Sequence, residues 1–431
     1  MYKELLAKIK TKKANIGVIG LGYVGLPLAV ELAKKGFNVT GLEVDSKKVE
    51  NINNKKSYIG DISSEDIKQL VTAKKLSATT NFKAISKLDV VIICVPTPLR
   101  KSKDPDVSYI VSATKEIKDN LQKGQLIVLE STTYPGTTAE LVLPMLEDTG
   151  LKAGKDFFLA FSPERIDPAN KKWTIANTTK VVGGICKQST ELTAAVYGSF
   201  TTVHKVSSTQ AAEMVKLLEN TFRAVNIGLV NEVALMCDRL GLNVWEIINA
   251  SATKPFGFMK FTPGPGIGGH CIPLDPHYLA WKLKTLNFYS RFIELAGEIN
   301  AKMPEYVVTK LADTLNEKTK SIKNSKILVL GVAYKKDVAD LRESPALDVM
   351  TLLIKKQAKL FYYDPYVPTV KIANKILKSE KNISNISKYD AVLILTDHTN
   401  INYSEVVKKA KLVFDTRNAT KNIKSQKVVK L

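Results

Sequence analysis

The feature that most restricts the fold is a strand, a glycine-rich turn and a helix in immediate succession. Residues 15–19 have the apolar sequence NIGVI, residues 20–25 read GLGYVG, and the helical pattern LPLAVELAKKG begins at once. In such a turn Gly20 permits the tight bend, Gly22 lets the backbone approach a pyrophosphate, and Gly25 lets the helix pack on the strand. The helix N-terminus adds amide donors and a positive dipole end. The pattern predicts a Rossmann-like dinucleotide-binding domain.

An acidic residue at the end of the next strand narrows the choice of dinucleotide. The predicted strand over residues 38–43 ends in Glu43, about 18 positions after the last glycine of the turn. A carboxylate there accepts hydrogen bonds from both ribose hydroxyls and repels a 2′-phosphate, so NAD is favoured over NADP. Lys48 is close enough in sequence to soften that repulsion.

Three further strands are each followed by a polar or proline-containing loop. The loops have the sequences PTP, STTYPGT and SPERID and cover residues 96–98, 131–137 and 162–167. Ligands of an open parallel sheet bind at the carboxyl ends of its strands, so we expect these loops to converge on the nicotinamide. Taken one at a time, each loop is equally compatible with an ordinary turn.

Length, composition and charge exclude several classes of protein. A chain of 431 residues predicts two or three domains. The net charge of +21 invites a nucleic-acid interpretation, but the lysines are spread along the chain and no basic run alternates with aromatic residues. We therefore expect no nucleic-acid partner, and a basic balance also suits a small polyanionic ligand.

Other classes are excluded by what the sequence lacks. No stretch approaches the roughly 18 apolar residues that span a membrane, and the first residues do not resemble a secretion signal. We expect a cytoplasmic protein without a membrane partner. Cys94, Cys186 and Cys237 are scattered without a CxxC pair, so neither a disulfide framework nor a metal site is predicted.

A long helical pattern from about residue 207 to 240 changes the character of the chain. Because it exceeds an ordinary crossover helix and is apolar on much of its surface, we predict a central helix that joins two domains and buries a face against a second subunit. Lys216 and Asn220 lie four apart and share one face, where a solvent-exposed polar pair is the alternative. Residues 303–318 predict another connecting helix.

The loop over residues 264–276, GPGIGGHCIPLDP, contains the one candidate nucleophile of the chain. Its four glycines and three prolines exclude a helix or a central strand and indicate a backbone that approaches another group closely. Cys271 lies between His270 and Asp275, with the access and polar neighbours that a nucleophile needs. The alternative is a buried turn in which the cysteine is only small and apolar.

A second α/β unit begins near residue 326. Strand-like runs recur to about residue 415 without a GxGxxG sequence, so this unit is expected to bind a different ligand. Tyr334 is suited to stacking on a base, and Lys335 and Arg417 are suited to phosphates. Solvated surface charges are the alternative.

Eight sequence motifs occur in order between about Asn15 and Asn418: GLGYVGLPLA, CVPTP, ESTTYPGTT, FSPERIDP, KLLEN, GPGIGGHCIPLDP, GVAYKKDVADLRESP and DTRN. Together they resemble the UDP-glucose/GDP-mannose dehydrogenase family. The resemblance implies two Rossmann-like doubly wound α/β domains joined by a long central helix and a helical dimerisation domain. The implied division is an NAD domain at 1–203, a helical domain carrying the cysteine loop at 204–310, and a UDP-sugar domain at 311–431.

The resemblance also implies the reaction and the residues that perform it. Two successive hydride losses to NAD would convert carbon 6 of a UDP-sugar into a carboxylate, through a thiohemiacetal and a thioester on Cys271. Lys216 and Asn220 would stabilise the oxyanion, Asp275 would hold Lys216 or a water, and Glu164 would be the general base for hydrolysis, with Thr132 positioning the water. The implied cofactor contacts are Gly20, Gly22, Tyr23, Val24, Gly25, Glu43, Thr97, Thr132 and Arg342. The implied substrate contacts are Glu164, Arg165, Lys216, Asn220, Phe258, Lys260, Gly268, Tyr334, Lys335 and Arg417.

Within the family, the segment ATKPFGFMKFTPGPGIGGHC resembles the branch that acts on UDP-N-acetylhexosamines. The UDP-glucose branch has Gly-Gly-Ser-Cys where this chain has His270 before the cysteine. UDP-N-acetylglucosamine is the favoured substrate, for synthesis of a surface polysaccharide, while UDP-N-acetylmannosamine, UDP-N-acetylgalactosamine and UDP-glucose stay open. A two-electron 3-hydroxyacid dehydrogenase and a nucleic-acid-binding regulator are the more distant alternatives.

Overall fold

The computed structural model describes residues 1–100, 104–166, 170, 172–372 and 375–431, so Asp167 and Pro168 of the FSPERIDP motif lie outside it. The chain divides into two compact units. The N-terminal unit is Met1–Glu219 with His277–Asn287, and the C-terminal unit is Asn220–Pro276 with Phe288–Leu431. The three-domain division given above stays a prediction. Among the described residues no helix is both long and apolar enough to cross a membrane.

The N-terminal unit is built on a largely parallel sheet. Its strands are β1 (Asn15–Ile19), β2 (Asn38–Leu42), β3 (Leu76–Thr79), β4 (Val90–Ile93), β5 (Leu126–Leu129), β6 (Phe158–Phe161), β7 (Lys180–Gly184) and β8 (Val203–Lys205). In the part of the chain that the structure describes, their spatial order is 3-2-1-4-5-6-7-8, with β7 antiparallel to β6. The order 3-2-1-4-5-6 is that of the dinucleotide-binding Rossmann fold. The predicted fold class is confirmed for this unit.

Helices cover both faces of this sheet. They are α1 (Tyr2–Lys10), α2 (Gly25–Lys34), α3 (Ser46–Asn53), α4 (Ser64–Thr72), α5 (Ser108–Lys118), α6 (Leu143–Glu147) and α7 (Lys187–Tyr197), with a π-helical turn at Thr137–Val142 and a 3₁₀ turn at Phe82–Lys87. Alternate residues of one strand enter separate apolar clusters: Val90 and Ile92 belong to one cluster, and Val91 and Ile93 to the other. This alternation follows from the two-residue period of a strand buried on both faces.

Two long helices pack together in their parts that belong to the C-terminal unit. The predicted central helix is α8 (Thr209–Leu240), whose first residues, to Glu219, belong to the N-terminal unit. It is followed by α9 (Val244–Ser251), by α10 (Asp275–Lys284), most of which belongs to the N-terminal unit, and by α11 (Arg291–Asn316). Gly228 of α8 faces Ala296 of α11, where an added Cβ would stand 3.1 Å from the alanine Cβ. Beside this contact, Asn231 Nδ2 donates to Asn300 Oδ1 at 2.8 Å. The small glycine surface therefore lets the two helix backbones approach each other.

The C-terminal unit also contains the second α/β fold. Its elements are β9 (Lys326–Leu330), α12 (Pro345–Lys355), β10 (Lys359–Tyr363), β11 (Thr369–Ile372), β12 (Lys375–Lys378), a 3₁₀ turn at Ile386–Lys388, β13 (Ala391–Ile394), α13 (Tyr403–Lys409), β14 (Val413–Asp415) and β15 (Val428–Lys430). Among the described residues, five parallel strands form a sheet in the order 10-9-13-14-15, and β11 pairs antiparallel with β12. Alternate residues of β9 again enter two apolar clusters. The predicted second doubly wound fold is confirmed.

Candidate active site

The turn between β1 and α2 has the shape that a dinucleotide pyrophosphate requires. Gly20 has φ +88°, a left-handed conformation that favours glycine. A Cβ on Gly25 would stand 1.9 Å from the Gly20 carbonyl oxygen, so only glycine lets α2 begin this close to the turn. A Cβ on Gly22 would meet nothing within 4 Å, which leaves open space beside the backbone. Tyr23, next to it, is exposed. These residues fit a bound NAD.

Glu43 is buried at the end of the second strand and its carboxylate is fully engaged. Oε1 accepts from the backbone N–H groups of Val44 and Asp45 at 3.0 and 3.2 Å. Oε2 accepts from Leu21 N–H at 3.0 Å and from Lys48 Nζ at 3.1 Å. A carboxylate has about four lone-pair positions, so a ribose hydroxyl has to displace one of these donors. Of these four donors, three are backbone amides and the fourth, Lys48 Nζ, belongs to a flexible side chain.

The loops predicted to face the ligand leave one edge of the sheet. β4, β5 and β6 are parallel neighbours, so the segments after them, 94–98, 130–137 and 162–166, begin side by side. Thr97 is buried and its carbonyl accepts from the Tyr278 hydroxyl at 2.5 Å. Thr132 is half-buried on the middle segment. The structure thus brings these two predicted cofactor contacts to the edge on which the glycine turn also lies.

Glu213 of α8 holds the segment that contains Thr132. Its carboxylate accepts from the backbone N–H groups of Gly136 and Thr138 at 2.6 and 2.9 Å and from the Thr138 hydroxyl at 2.6 Å. These amides begin the π-helical turn, so the carboxylate caps it. Burial raises the pKa of Glu213 to about 7, against the effect of these hydrogen bonds. The side chain therefore joins α8 to the loop after β5.

Glu164, the predicted general base, is buried at the end of the loop after β6. Oε1 accepts from the N–H groups of Arg165 and Ile166 at 2.6 and 2.7 Å, and its backbone carbonyl accepts from Lys216 Nζ at 2.6 Å. Lys216 and Asn220 are themselves buried, so they are not the solvent-exposed pair of the alternative interpretation. The Arg165 guanidinium binds Glu219 and the Thr179 carbonyl. Lys216 and Glu164 are thus in direct contact.

Behind Glu164 lies a buried ion cluster that the sequence did not indicate. Lys180 Nζ donates to Glu164 Oε2 at 2.8 Å and also to Glu130, whose second oxygen accepts from the Tyr197 hydroxyl. Burial raises the pKa of Glu130 to about 7, although Lys180 opposes this shift. Burial would also raise the pKa of Glu164, but Lys180 outweighs it and holds that pKa below its ordinary value.

The glycines of the cysteine loop each make room for a side chain of the second α/β fold. A Cβ on Gly264 would stand 2.6 Å from Arg417 Nη1, and a Cβ on Gly268 or Gly269 would stand 2.9 Å from a Tyr334 carbon. Gly269 N–H also donates to the Arg342 carbonyl at 3.2 Å. The sequence predicted that this backbone approaches another group closely, and the groups include Arg417 and Tyr334, two residues predicted to bind a nucleotide.

Cys271 stands one turn before α10. Its carbonyl accepts from Asp275 N–H at 2.8 Å, which starts the helix, and its Sγ lies 3.9 Å from His270 Nδ1. Asp275 Oδ2 accepts from Asn220 Nδ2 at 2.5 Å. The partnership of Asp275 with Lys216 stays a prediction.

The loop that contains Tyr334 and Lys335 is fixed by a buried acid and histidine. Asp364 Oδ2 accepts from the N–H groups of Val332 and Ala333 at 2.8 and 3.2 Å and lies 3.0 Å from His398 Nε2. His398 Nδ1 accepts from Asp337 N–H at 2.9 Å, so the proton lies on Nε2 and is donated to Asp364. Burial opposes ionisation of Asp364, but His398 and the amides hold its pKa below the ordinary value. Both ends of the loop are thereby anchored.

The remaining predicted ligand contacts also lie in the C-terminal unit. The Arg417 Nε donates to the Leu395 carbonyl at 2.9 Å, which orients the guanidinium toward Gly264. Lys260 Nζ donates to Asn249 Oδ1 at 2.6 Å, and Phe258 is exposed. Arg342 pairs with Asp340, its Nη2 standing 2.6 Å from Oδ2.

Comparison with protein families decides the classification of this fold and site. Models of one family match in order: its NAD binding domain over residues 14–201, its central domain over 210–302 and its UDP binding domain over 328–422. The chain belongs to the UDP-glucose/GDP-mannose dehydrogenase family. It is an NAD-dependent oxidoreductase and a UDP-sugar dehydrogenase, as the resemblance implied.

Individual members of the UDP-glucose/GDP-mannose dehydrogenase family match nearly the whole chain. A UDP-N-acetyl-D-glucosamine 6-dehydrogenase from Pseudomonas aeruginosa is 33% identical, over 90% of this chain and 91% of its own. A solved UDP-N-acetyl-D-mannosamine dehydrogenase from Pyrococcus horikoshii is 34% identical with a TM-score of 0.87, over 96% of this chain and 98% of its own. A solved NDP-N-acetyl-D-galactosaminuronic acid dehydrogenase from Methanosarcina mazei is 30% identical with a TM-score of 0.83, over 99% and 97%.

Several charged residues near the predicted site were not identified from the sequence. Lys180 opens an apolar strand and was not considered from the sequence, and Glu130 directly follows another apolar strand and was assigned only to a motif. A charged residue at the end of a strand buried on both faces is the signal that was available, because such a charge needs a partner. Glu213, Asp364 and His398 had no distinguishing signal, since their partners are backbone amides far away in sequence.

Proposed function

We propose that this chain oxidises carbon 6 of a UDP-N-acetylhexosamine to the carboxylate, with UDP-N-acetylglucosamine as the first choice of substrate. The observation that carries the proposal is Cys271, which precedes a helix and follows two glycines that pack against Tyr334. A nucleophilic cysteine has no use in an oxidation that stops at the aldehyde, but it allows a second oxidation to the acid. The relatives named above act on N-acetylhexosamine nucleotides, which supports the choice of sugar.

In the first step the 6-hydroxyl loses its proton to solvent water and carbon 6 loses a hydride. Bound NAD would supply the hydride acceptor, one NAD+ for this oxidation and a fresh NAD+ for the second one. Lys216 and Asn220, one turn apart on α8, stabilise the negative charge that develops on the sugar oxygen. The Asp275 carboxylate accepts from Asn220 Nδ2 and so orients this amide.

The second step uses the thiolate of Cys271. Its sulfur adds to the carbon of the aldehyde, and the resulting thiohemiacetal loses a second hydride to leave a thioester. Asn220 and Lys216 stabilise the oxyanion of the tetrahedral species, as they do in the first step. His270, 3.9 Å from the sulfur, is placed to favour the thiolate when it is protonated.

Hydrolysis of the thioester completes the reaction. Glu164 takes a proton from a water that Thr132 positions, the water oxygen bonds to the acyl carbon, and the carbon–sulfur bond breaks to release the Cys271 thiolate. The contact of Glu164 with Lys216 supports this role, because it joins the proposed base to the group that stabilises the oxyanion.

The UDP moiety is proposed to bind to the second α/β fold. Tyr334 stacks on the base, and Lys335, Arg417 and Lys260 neutralise the diphosphate. Gly268, Phe258 and Arg165 complete the proposed substrate contacts. The engagement of Arg165 by Glu219 means that substrate binding through this guanidinium requires it to share or leave that partner.

The cofactor is proposed to bind along the glycine turn. Gly20, Gly22, Tyr23, Val24 and Gly25 would contact its pyrophosphate through the backbone, and Glu43 its ribose. Thr97, Thr132 and Arg342 are the other proposed contacts. The fit of the turn supports this arrangement, since the space beside Gly22 is open.

A homodimer formed through α8 is part of the proposal. Phe222, Leu229 and Met236 are spaced seven apart on α8 and are all exposed, as are Phe292 and Leu295 on the neighbouring α11. Large apolar side chains repeated along one helix face form a stripe that is stable in water only when another surface covers it.

We further propose that the reaction takes place in the cytoplasm and that its product enters a surface polysaccharide. All four cysteines are free thiols, as is usual in a reducing compartment. The chemistry of the product, a negatively charged sugar on a UDP leaving group, suits a glycosyl-transfer reaction.

A substrate panel tests the proposed function. Purified protein is incubated with NAD and, in separate reactions, with UDP-N-acetylglucosamine, UDP-N-acetylmannosamine, UDP-N-acetylgalactosamine and UDP-glucose. We expect UDP-N-acetylglucosamine to be turned over fastest, with two NADH formed for each uronate. One NADH per substrate, with an aldehyde or ketone as the product, would overturn the four-electron reaction and favour the two-electron class. Faster turnover of another sugar would overturn only the choice of substrate.

A further inference from the structure

The buried side chains behind Glu164 have no role in the reaction as it is proposed above. We propose that Glu130 and Lys180 are positioning residues that set the basicity of Glu164 for thioester hydrolysis, the lysine being shared between the two carboxylates. This inference rests on the proposed role of Glu164 as the general base.

The geometry of the cluster places one ammonium group between two carboxylates. Lys180 is the first residue of β7, which runs antiparallel to β6, and Glu164 and Glu130 follow the neighbouring strands β6 and β5. Lys180 Nζ donates to both carboxylates, 2.8 Å from Glu164 Oε2. Glu130, Lys180 and Glu164 are 1%, 3% and 7% exposed, so water screens these charges little.

Among the described residues, four further side chains with titratable or charged groups lie close to Glu164 and Glu130. Tyr197 of α7 donates its hydroxyl to Glu130, and the Cys94 thiol after β4 is buried near both carboxylates. Lys216 of α8 contacts the Glu164 backbone carbonyl rather than its carboxylate, and Arg165 is paired with Glu219. Lys180 is therefore the one cation that binds the Glu164 carboxylate directly among the described ion pairs.

Ionised Glu130 and Lys180 act on Glu164 in opposite directions, whereas protonated Glu130 donates a hydrogen bond to Glu164 and, like Lys180, lowers its pKa. The positive charge of Lys180 stabilises ionised Glu164 and makes it a weaker base. Ionised Glu130 shares the hydrogen bonds of the Lys180 ammonium group and repels the Glu164 carboxylate. It therefore makes Glu164 a stronger base. When Glu164 takes the proton of the attacking water, the buried cluster changes from one net negative charge to none, which favours the transfer.

The ionisation of Glu130 is well placed to matter near neutral pH. Burial raises the pKa of Glu130 to about 7. Below that pH, Glu130 is protonated and Lys180 interacts mainly with the Glu164 carboxylate. Above that pH, both carboxylates are ionised and the base is strengthened. We expect hydrolysis to rise with pH through this range.

Two substitutions test the proposal through shifts of the pH profile in opposite directions. Wild type and variants are mixed with NAD and UDP-N-acetylglucosamine, and decay of the thioester on Cys271 is followed by intact mass from about pH 5 to 9. In Glu130→Gln, the acid limb of the plot of hydrolysis rate against pH should move toward lower pH by about 1 pH unit or more. The hydrolysis rate of this variant at high pH should fall about tenfold. In Lys180→Gln, the limb should move up by a similar amount.

Control variants separate tuning from a general structural defect. Lys180→Arg keeps the positive charge, so the acid limb should stay near its wild-type position. This variant still tests the role of the charge if Lys180→Gln fails to fold. Lys205→Gln and Glu191→Gln alter an exposed lysine–glutamate pair of the same unit, with Nζ and Oε2 2.8 Å apart, and should change nothing. A limb that stays in place in both Glu130→Gln and Lys180→Gln overturns the tuning. A wild-type protein that forms neither a thioester nor a uronate overturns the proposed function itself.

Discussion

Gly264 packs against the guanidinium group of Arg417, and a Cβ atom on this glycine would stand 2.6 Å from Nη1. Gly264→Ala should therefore displace the guanidinium or the loop, at a cost of about 1–3 kcal/mol. If Arg417 binds the diphosphate, we expect the dissociation constant of UDP to rise about tenfold, measured by calorimetry. Gly60→Ala is the matched control, because a Cβ there meets nothing within 4 Å. Equal UDP affinity in both variants would show that Arg417 has no part in UDP binding.

Replacement of the proposed nucleophile should abolish the acid without affecting the binding sites. In Cys271→Ser, we expect uronate formation to fall by about 1000-fold or more, the scale on which removal of a covalent nucleophile acts. The thermal shifts produced by NAD and by UDP should persist. Cys186→Ser, which changes another partly exposed free thiol, should retain activity. Uronate production by the serine variant at the wild-type rate would rule out the thioester.

The contact between Lys48 and Glu43 should control the choice between NAD and NADP. The ammonium group stands 3.1 Å from Oε2, where it neutralises part of the carboxylate charge. In Lys48→Met, the ratio of NADP to NAD dissociation constants should increase by about five- to tenfold, as expected for loss of one partly exposed charge. Lys47→Met removes an exposed neighbouring charge and serves as the control. A ratio that does not change would mean that Lys48 has no part in the discrimination.

Loss of the Glu213 carboxylate should destabilise the fold. Glu213→Ala leaves two backbone amides and a threonine hydroxyl without their acceptor, which should lower the free energy of unfolding by about 2–4 kcal/mol. Urea denaturation measures this, with Glu191→Ala as the exposed control. Burial raises the pKa of Glu213 from 4.5 to about 7. The stabilisation is therefore complete below the unfolded pKa and declines as the pH rises to about 7, so the difference from the variant should shrink over that range. A pH-independent difference would contradict this.

A charge placed on the apolar face of α8 should prevent dimer formation. Leu229 is 53% exposed at the centre of the stripe formed by Phe222, Leu229 and Met236. Leu229→Glu would require a carboxylate to be buried at the proposed interface, so sedimentation velocity should show the monomer. Ile376→Glu makes the same change at an exposed position of β12 and should leave the dimer intact. An unchanged sedimentation coefficient for Leu229→Glu would place the interface elsewhere.

The fold was predictable because its signals are local. The glycine turn sits between β1 and α2, and buried strands such as β4, β5 and β13 are short apolar runs of the length and composition typical of strands. The helix predicted over residues 303–318 is longer in the structure, because α11 begins at Arg291 and contains Pro304 in its interior. A proline fits the first turn of a helix best, so the sequence signal favoured a start at that residue over the true one.

The candidate site was predictable only in part. Cys271 and its glycines lie together in sequence, so their spacing identified a shaped loop before its neighbours were known. The contact of Lys180 with Glu130 joins residues 50 apart, and no local pattern indicates it. Strands β5, β6 and β7 have to lie side by side in the sheet before this ion pair exists.

The burial of Lys180 also makes it different from the other lysines of a strongly basic chain. Its side chain is 3% exposed and its amine is bound by two carboxylates, so a reagent that acylates surface amines cannot reach it while the N-terminal unit stays closed. Acylation of Lys180 would therefore report local opening of the sheet around β7. Measurements of global unfolding do not distinguish this local opening from the unfolding of the rest of the chain.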